Sequence, residues 1–234
     1  QRSTSGPQTR TARKDTTEVT AMPVVDVAFR VQGAEIPADH GYLLAGALSR
    51  IMPTLHADET VAIAPIRGQP TAGRRLRLTP YSRLVVRTAS ERIAELLPLA
   101  GKSLRVGDGS LLVGIPEIRP LIPTATLFCR LVVIKGFMQP DPFLAAVQRQ
   151  LDGLGIRGKP ALIPQPEVAA ANADSARGSH SPFVRRTLRI RDKEVVGFAV
   201  RVSQLTAEES VLLQEKGIGG RRRFGCGVFV AESR

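Results

Sequence analysis

Val25-Asp26-Val27-Ala28-Phe29-Arg30-Val31 places large apolar side chains at every second position. That is the period of a strand with one face in a core and the other toward solvent. Working outward, Pro37-Ala38-Asp39 opens a predicted helix with Asp39 as its N-cap; Leu44, Ala47, Leu48 and Ile51 share one face, and Pro53 ends it. Residues 61–64 predict a second strand, and Leu76-Arg77-Leu78 with Leu84-Val85-Val86 a third strand region. Thr88-Ala89-Ser90-Glu91 has the form of a capping box opening a second helix through Leu97. Residues 104–106 and 111–113 close the unit as a hairpin around Gly107-Asp108-Gly109.

The same order then repeats. A strand at 126–134 is followed by Asp141-Pro142, which caps and starts a helix carrying Phe143, Val147 and Leu151 and stopped by Gly153. Ala161-Leu162-Ile163 is a short strand, residues 164–182 read as a flexible insertion, and 187–191 with 195–202 form a hairpin turning near Asp192-Lys193. Thr206-Ala207-Glu208-Glu209 is a further capping box, its helix ends at Gly217, and Val228-Phe229-Val230 is the last strand. Each half reads βαββαβ, so the fold class is α+β, two tandem ferredoxin-like (RRM-like) domains. The expected boundaries are 23–122 and 123–234, after a polar tail or linker at 1–22 expected to be disordered.

Lysine and arginine total 33 against 21 acids, a net charge of +12 in 234 residues that are 43% hydrophobic. The mean hydropathy is near zero and the pI near 10.9, which suits a globular chain with buried cores and a basic surface. Lysine occurs only at 14, 102, 135, 159, 193 and 216, which leaves 27 arginines. A guanidinium fork binds two phosphate oxygens at once, so this bias favours nucleic acid. Ribosomal proteins and membrane-surface binders are also basic. There is no basic amphipathic helix and no run approaching the roughly 18 apolar residues of a membrane span, so no membrane partner is expected. No charged-then-apolar leader opens the sequence. Cys129 and Cys226 lie far apart without a CxxC pairing, which fits a reducing cytoplasm. With no HExxH, no Cys/His cluster and no Asp-rich box, neither a protein-built metal site nor a cofactor is expected.

A sharper local signal is Gly217-Ile218-Gly219-Gly220-Arg221-Arg222-Arg223-Phe224-Gly225-Cys226-Gly227, with five glycines in eleven residues. Glycine admits positive φ and close approach. Successive N–H groups here are expected to face phosphate oxygens, while Arg221, Arg222 and Arg223 offer charge and planar surfaces to bases. The glycines follow a helix and precede a strand, the reverse of a Rossmann turn, and no GK[ST] marks a nucleotide P-loop. The aromatics fall out of register with the RNA-recognition-motif signature, and with no Trp and two Tyr an aromatic stacking platform is not expected. The alternative is a helix C-cap followed by a bulged turn with solvated arginines.

The spacing Gly217-Ile218-Gly219, five residues, Gly225-Cys226-Gly227 resembles the G-h-G-x5-G-h-G loop (h apolar) of the repeat-associated RNA-binding (RAMP) superfamily. The segment from Asp39-His40-Gly41-Tyr42 to Leu55-His56, and Val133-Ile134-Lys135-Gly136-Phe137, look like the CRISPR repeat-processing endoribonucleases, the sixth CRISPR-associated protein family, in its MYXAN-type subfamily. The likeness spans roughly residues 23–231. It implies cleavage of precursor CRISPR RNA at repeat hairpins, retention of the mature guide's 3′ hairpin, and membership of a type I effector complex. The residue readings leave room for a non-cleaving RNA-binding subunit, or for a ribosomal or other structural RNA-associated protein.

RNA carries its own nucleophile, the 2′-hydroxyl, so cleavage needs a base, an acid for the leaving 5′-oxygen and cations for the developing charge, with no metal. The products are then a 2′,3′-cyclic phosphate and a 5′-hydroxyl. Imidazole suits the acid and base roles near neutral pH. His180 sits in the flexible insertion and reads as solvated, and His40 beside the helix start reads as packed, capping or chemical. His56 follows Met52-Pro53-Thr54-Leu55, where on residues alone it is an ordinary loop histidine; the resemblance implies that it is the catalytic one. Some relatives add a helix tyrosine and a lysine. Here the position seven before His56 is Ser49, Tyr42 is the available substitute, and no lysine lies between Lys14 and Lys102. Arg50 or Arg67 could stabilise charge but not give up a proton. Arg185, Arg186, Arg189, Arg191 and Arg201 are candidates to grip duplex phosphates or are solvated strand residues, with Lys135 and Arg130 beside them.

Overall fold

The computed structural model describes residues 22–55, 58–166 and 181–232. The first half holds β1 (Val24–Gln32), β2 (Glu35–Pro37), α1 (Gly41–Ile51), β3 (Ala62–Ala64), β4 (Gln69–Thr71), β5 (Arg75–Arg77), β6 (Arg83–Ala89), α2 (Ile93–Leu96), β7 (Ser103–Val106) and β8 (Gly109–Pro120). Its main sheet runs β3-β6-β1-β8-β7, antiparallel at every pairing. With β7 set aside as a hairpin addition, the order is second-third-first-fourth, the split βαβ arrangement of a ferredoxin-like fold. The alternation in β1 does what its period requires. Val27 and Phe29 are fully buried, they pair with Val86 and Leu84 of β6, and Leu44 and Leu48 of α1 join the same core.

The second half repeats the plan with β9 (Thr126–Val132), α3 (Pro140–Gly153), β10 (Lys159–Leu162), β11 (Arg185–Ile190), β12 (Lys193–Ser203), α4 (Ala207–Lys216) and β13 (Val230–Ala231). Its sheet order is β10-β12-β9-β13, and β11 pairs with the other end of the β12 edge that β10 occupies. Phe143 of α3 and Phe198 of β12 meet with ring centroids 4.9 Å apart in its core. The chain is therefore α+β, with tandem ferredoxin-like folds. The Thr206 capping box forms with both arms, Glu209 N donating to Thr206 Oγ1 at 3.2 Å and Thr206 N to Glu209 Oε2 at 3.0 Å.

Several local expectations are corrected. Thr88-Ala89-Ser90-Glu91 makes no capping box: Thr88 continues the buried alternation of Leu84 and Val86 in β6, and a 3-10 turn at Ser90–Arg92 precedes a single helical turn in α2. Pro98 and a second 3-10 turn at Leu97–Leu99 end it. Asp39 does not cap α1; the N-cap is His40, without a side-chain cap bond. Leu76-Arg77 belongs to a separate three-stranded sheet, β2-β5-β4, whose strands β4 and β5 are inserted between β3 and β6 and whose β2 precedes α1. The last strand is shorter than expected because Val228 and Phe229 are core residues and only Val230 and Ala231 pair with β9. The expectations for 1–21, for His56 and for most of the insertion (167–180, with His180) fall outside the described residues.

Candidate nucleic-acid interface

The two halves meet along a seam built by Arg87, Asp39 and Phe224. Arg87, only 2% exposed in β6, donates from Nε and Nη2 to the two carboxylate oxygens of Asp26 at 2.7 and 2.9 Å. Its Nη1 donates to the backbone oxygens of Gln214 and Phe229 in the second half, both at 2.8 Å. Asp39 Oδ2 accepts the N–H of Arg189 at 2.7 Å. Phe224, from the glycine-arginine loop, packs against the first core and against the seam cluster of Leu131, Val133, Leu188 and Cys226.

The glycine loop is more deeply set than its sequence implies. Gly217, Ile218 and residues 225–229 are buried, and the chain reaches the exposed class only at Gly220 and Arg221. Gly219 has φ +75° and a Cβ there would stand 2.4 Å from Val133 O; Gly227 has φ +66° and a Cβ would stand 2.2 Å from Ile218 O. The N–H groups of the five glycines all have protein acceptors: Leu213 O, Gln150 Oε1, Val133 O, Arg222 O and Leu131 O, in chain order. The expectation that successive glycine N–H groups face a phosphate is thus corrected, since those groups hold the loop onto β9, α3 and α4. What the loop presents outward is Gly220 and Arg221, beside exposed Lys135 and Gly136 in one shallow groove. Arg223 is half-buried with its guanidinium 5.6 Å from the Phe224 ring centroid. Arg222 turns inward, its Nη2 3.5 Å from Gln214 O and its Nε buried without a partner. Burial and the Arg87 charge bring its pKa down to about 10.

The other candidates divide. Tyr42 in α1 sits edge-on to Phe224 (centroids 5.4 Å apart), and its hydroxyl accepts from Arg191 Nε at 3.4 Å. Ser49, seven residues on, shares that helical face and is half-buried. Tyr42, Arg189, Arg191 and Arg74 line one groove, and Arg74, Arg130, Arg185 and Arg186 line the next. Arg201 stands apart, paired with Glu232 at 2.5 Å, and Arg50 donates to Arg105 O at 3.3 Å. His40 is a packing residue. It is 1% exposed, its Nδ1 lies 3.0 Å from Pro37 O, and its Nε2 accepts the N–H of Ile66 at 3.0 Å, so the imidazole is neutral with its proton on Nδ1. Burial lowers its pKa from 6.5 to about 4. Cys129 and Cys226 are buried free thiols, both pushed up to about 12 by burial.

A family model described as Cas6 Crispr matches residues 25–234. The CRISPR-associated endonuclease Cas6 of Myxococcus xanthus is 37% identical over 213 residues, which are 91% of this chain and 84% of that one. This chain belongs to the Cas6 family. Two solved structures resemble it in fold. One is titled CRISPR associated protein Cas6, with TM-score 0.59 and 11% identity over 90% of this chain and 100% of that one. The other is a Cas6-related protein of Pyrococcus furiosus, with TM-score 0.57 and 14% identity over 88% of this chain and 98% of that one.

For a Cas6-family chain, three seam residues escaped the sequence reading. Arg74 ends the 3-10 turn (Ala72–Arg74) that joins β4 to β5 of the unforeseen three-stranded sheet, with φ +56°. Arg87 looks like any strand arginine between Val86 and Thr88. Asp39 was assigned to a cap when its partner lies 150 residues away. Among the described residues, no three His, Cys, Asp or Glu side chains gather as metal ligands, and no helix is long and apolar enough to cross a membrane.

Proposed function

We propose that this chain is a CRISPR RNA-processing endoribonuclease that cuts repeat hairpins of precursor transcripts without metal. The observation that carries this reading is the near full-length likeness to the Myxococcus xanthus endonuclease, 37% identical across 91% of this chain. The seam supports it, because arginines from both halves line adjoining grooves beside Tyr42.

In the proposed reaction, His56 takes the 2′-hydroxyl proton, the 2′-oxygen attacks the adjacent phosphorus and the 5′-oxygen leaves. The products are a 2′,3′-cyclic phosphate and a 5′-hydroxyl. Tyr42 accepts a hydrogen bond from Arg191. Its own phenolic proton thereby remains available to the phosphoryl group or leaving oxygen, with Ser49 a second hydroxyl on the same helical face. Arg221 and Arg223 at the loop, Arg185, Arg189 and Arg191 on β11 and its turn, and Lys135 contact phosphates. After the cut the protein keeps the guide's 3′ hairpin as a subunit of a type I effector complex. The units 23–122 and 123–234 divide the labour, with His56 in the first and the glycine loop in the second.

The test is to isolate the chain from cells expressing a CRISPR array and sequence the RNA bound to it. Short RNAs sharing one 3′ hairpin derived from the repeat are expected. Uncut repeat transcripts would instead identify a non-cleaving RNA-binding subunit.

A further inference from the structure

Several arginines of the first half have acidic partners. Arg75 pairs with Glu35 and Asp108, and Arg92 with Asp58 and Glu95. A different set does not. Between the halves lies a cavity of about 330 Å³ bordered by Arg74, Arg130, Arg185 and Arg186. Among the described residues, none of these four side chains makes an ion pair or a hydrogen bond, and Arg186 Nε is buried with no partner at all. Asp39 is the one acid on the wall, and its Oδ2 already accepts the Arg189 N–H. Burial, and the Arg186 charge after it, lowers the Arg130 pKa, while burial alone lowers that of Arg186. Arg130 and Arg186 are therefore held charged against burial, with the Asp39 carboxylate the one nearby acid acting on Arg130. Such a cluster has the charge and geometry to hold an anion.

The neighbourhood says which anion. The cavity shares Asp39 and Arg74 with the adjoining groove of about 550 Å³, where Arg189 and Arg191 stand beside Tyr42. A free inorganic ion needs one seat. Consecutive basic cavities with a common wall match a polymer that brings a charge at every step.

We propose that the cavity seats one backbone phosphate of the RNA strand, gripped from within by Arg130 and Arg186 and closed at the mouth by Arg74 and Arg185. This rests on the reading of the chain as an RNA-processing enzyme and extends it, since it sends the strand between the two sheets as well as over the glycine loop. Arg186 thereby acts inward on one phosphate, apart from the outward arginines of β11 and its turn.

The test uses the full chain with Arg130→Gln, Arg186→Gln and the double substitution. In the first arm, melting is followed without RNA in inorganic phosphate and in chloride at matched ionic strength. The wild type is expected to melt higher in phosphate, and the double variant to show no difference between the two salts. Without phosphate, the double variant is expected to melt no lower than the wild type, because it loses repulsion rather than a bond. In the second arm, affinity for repeat RNA with a 2′-deoxy scissile nucleotide is measured against salt. The slope of log K on log salt is expected to shrink by about 0.7, one single-strand phosphate. Each single variant is expected to lose less of the slope than the double, because the remaining fork still holds the same phosphate. Equal phosphate stabilisation in the double variant, or an unchanged salt slope, would overturn the seat. A wild type that phosphate stabilises but that ignores repeat RNA would overturn the strand assignment and the proposed function together, leaving only an anion site.

Discussion

Replacing Arg87 by methionine keeps much of the side-chain volume while removing four donated hydrogen bonds. Two of these go to Asp26 at 2.7 and 2.9 Å, and two cross the seam to Gln214 O and Phe229 O at 2.8 Å. The Asp26 side chain is 19% exposed and that of Arg87 3%, so the substitution leaves a mostly buried carboxylate without its partner. Breaking a buried pair in this way costs about 3–5 kcal/mol, much of it the penalty on the orphaned charge. In a chain of this size that corresponds to a fall of roughly 6–20 °C in melting temperature. Adding Asp26→Leu removes the orphan and leaves Phe229 O unsatisfied and Gln214 O with only the long Arg222 contact, at about 1–3 kcal/mol for an unsatisfied carbonyl before water reaches it. The double variant is therefore expected to be more stable than Arg87→Met alone, the coupling sign of a true pair. Urea denaturation with a common m-value reads both. Arg87→Met within 1 kcal/mol of wild type, a bound set by the same buried-pair range, or a double variant less stable than the single, would refute the argument. Because Gln214 and Phe229 flank the glycine loop, Arg87→Met is also expected to weaken RNA binding.

Other consequences are as direct. His56→Ala is expected to abolish cleavage while leaving repeat binding within a few-fold, read by gel assay; undiminished cutting would remove the catalytic assignment. His40 has a folded pKa of about 4 against 6.5 unfolded, so between those values the unfolded chain binds more protons. Its contribution is therefore complete above pH 6.5 and is lost as pH falls toward 4, by about 3 kcal/mol in all. His40→Asn should remove that part of the slope of stability against pH, and an unchanged slope would contradict a neutral buried imidazole. Gly227→Ala must hold φ +66° with its Cβ 2.2 Å from Ile218 O; a loss of roughly 2 kcal/mol or more in urea denaturation is expected. Changing Arg221, Arg222 and Arg223 together to Ala is expected to reduce the salt slope of single-strand RNA binding by about 1.4, two phosphates rather than three, because Arg222 points inward.

What could be read ahead of the structure was what the chain settles locally. The β1 alternation and the Thr206 box each complete themselves within a few residues, so propensity and tertiary structure agree there. The Thr88 pattern is chemically the same box, but Thr88 lies opposite Val25 in a sheet, and burial overrode the cap. Strands β2 and β5 are three residues each and pair across forty positions, Glu35 with Arg77, so no window of sequence contains their signal. The glycine cluster was conspicuous, but its physical reason was read the wrong way round. Close approach is required, and the approaching groups are the protein's own Val133 O and Ile218 O. The arginines at 130, 186 and 87 are written alike in the sequence. Only three-dimensional packing separates the one that pairs with Asp26 from the two that form no ion pair among the described residues.

Cleavage of a repeat-hairpin RNA by the purified chain in excess EDTA, with the fragment ends identified chemically, bears on the central proposal most directly. A single cut leaving a 2′,3′-cyclic phosphate and a 5′-hydroxyl, absent with His56→Ala, is expected. RNA that stays bound but whole until a divalent metal is supplied would contradict attack by the RNA's own hydroxyl at a metal-free imidazole site.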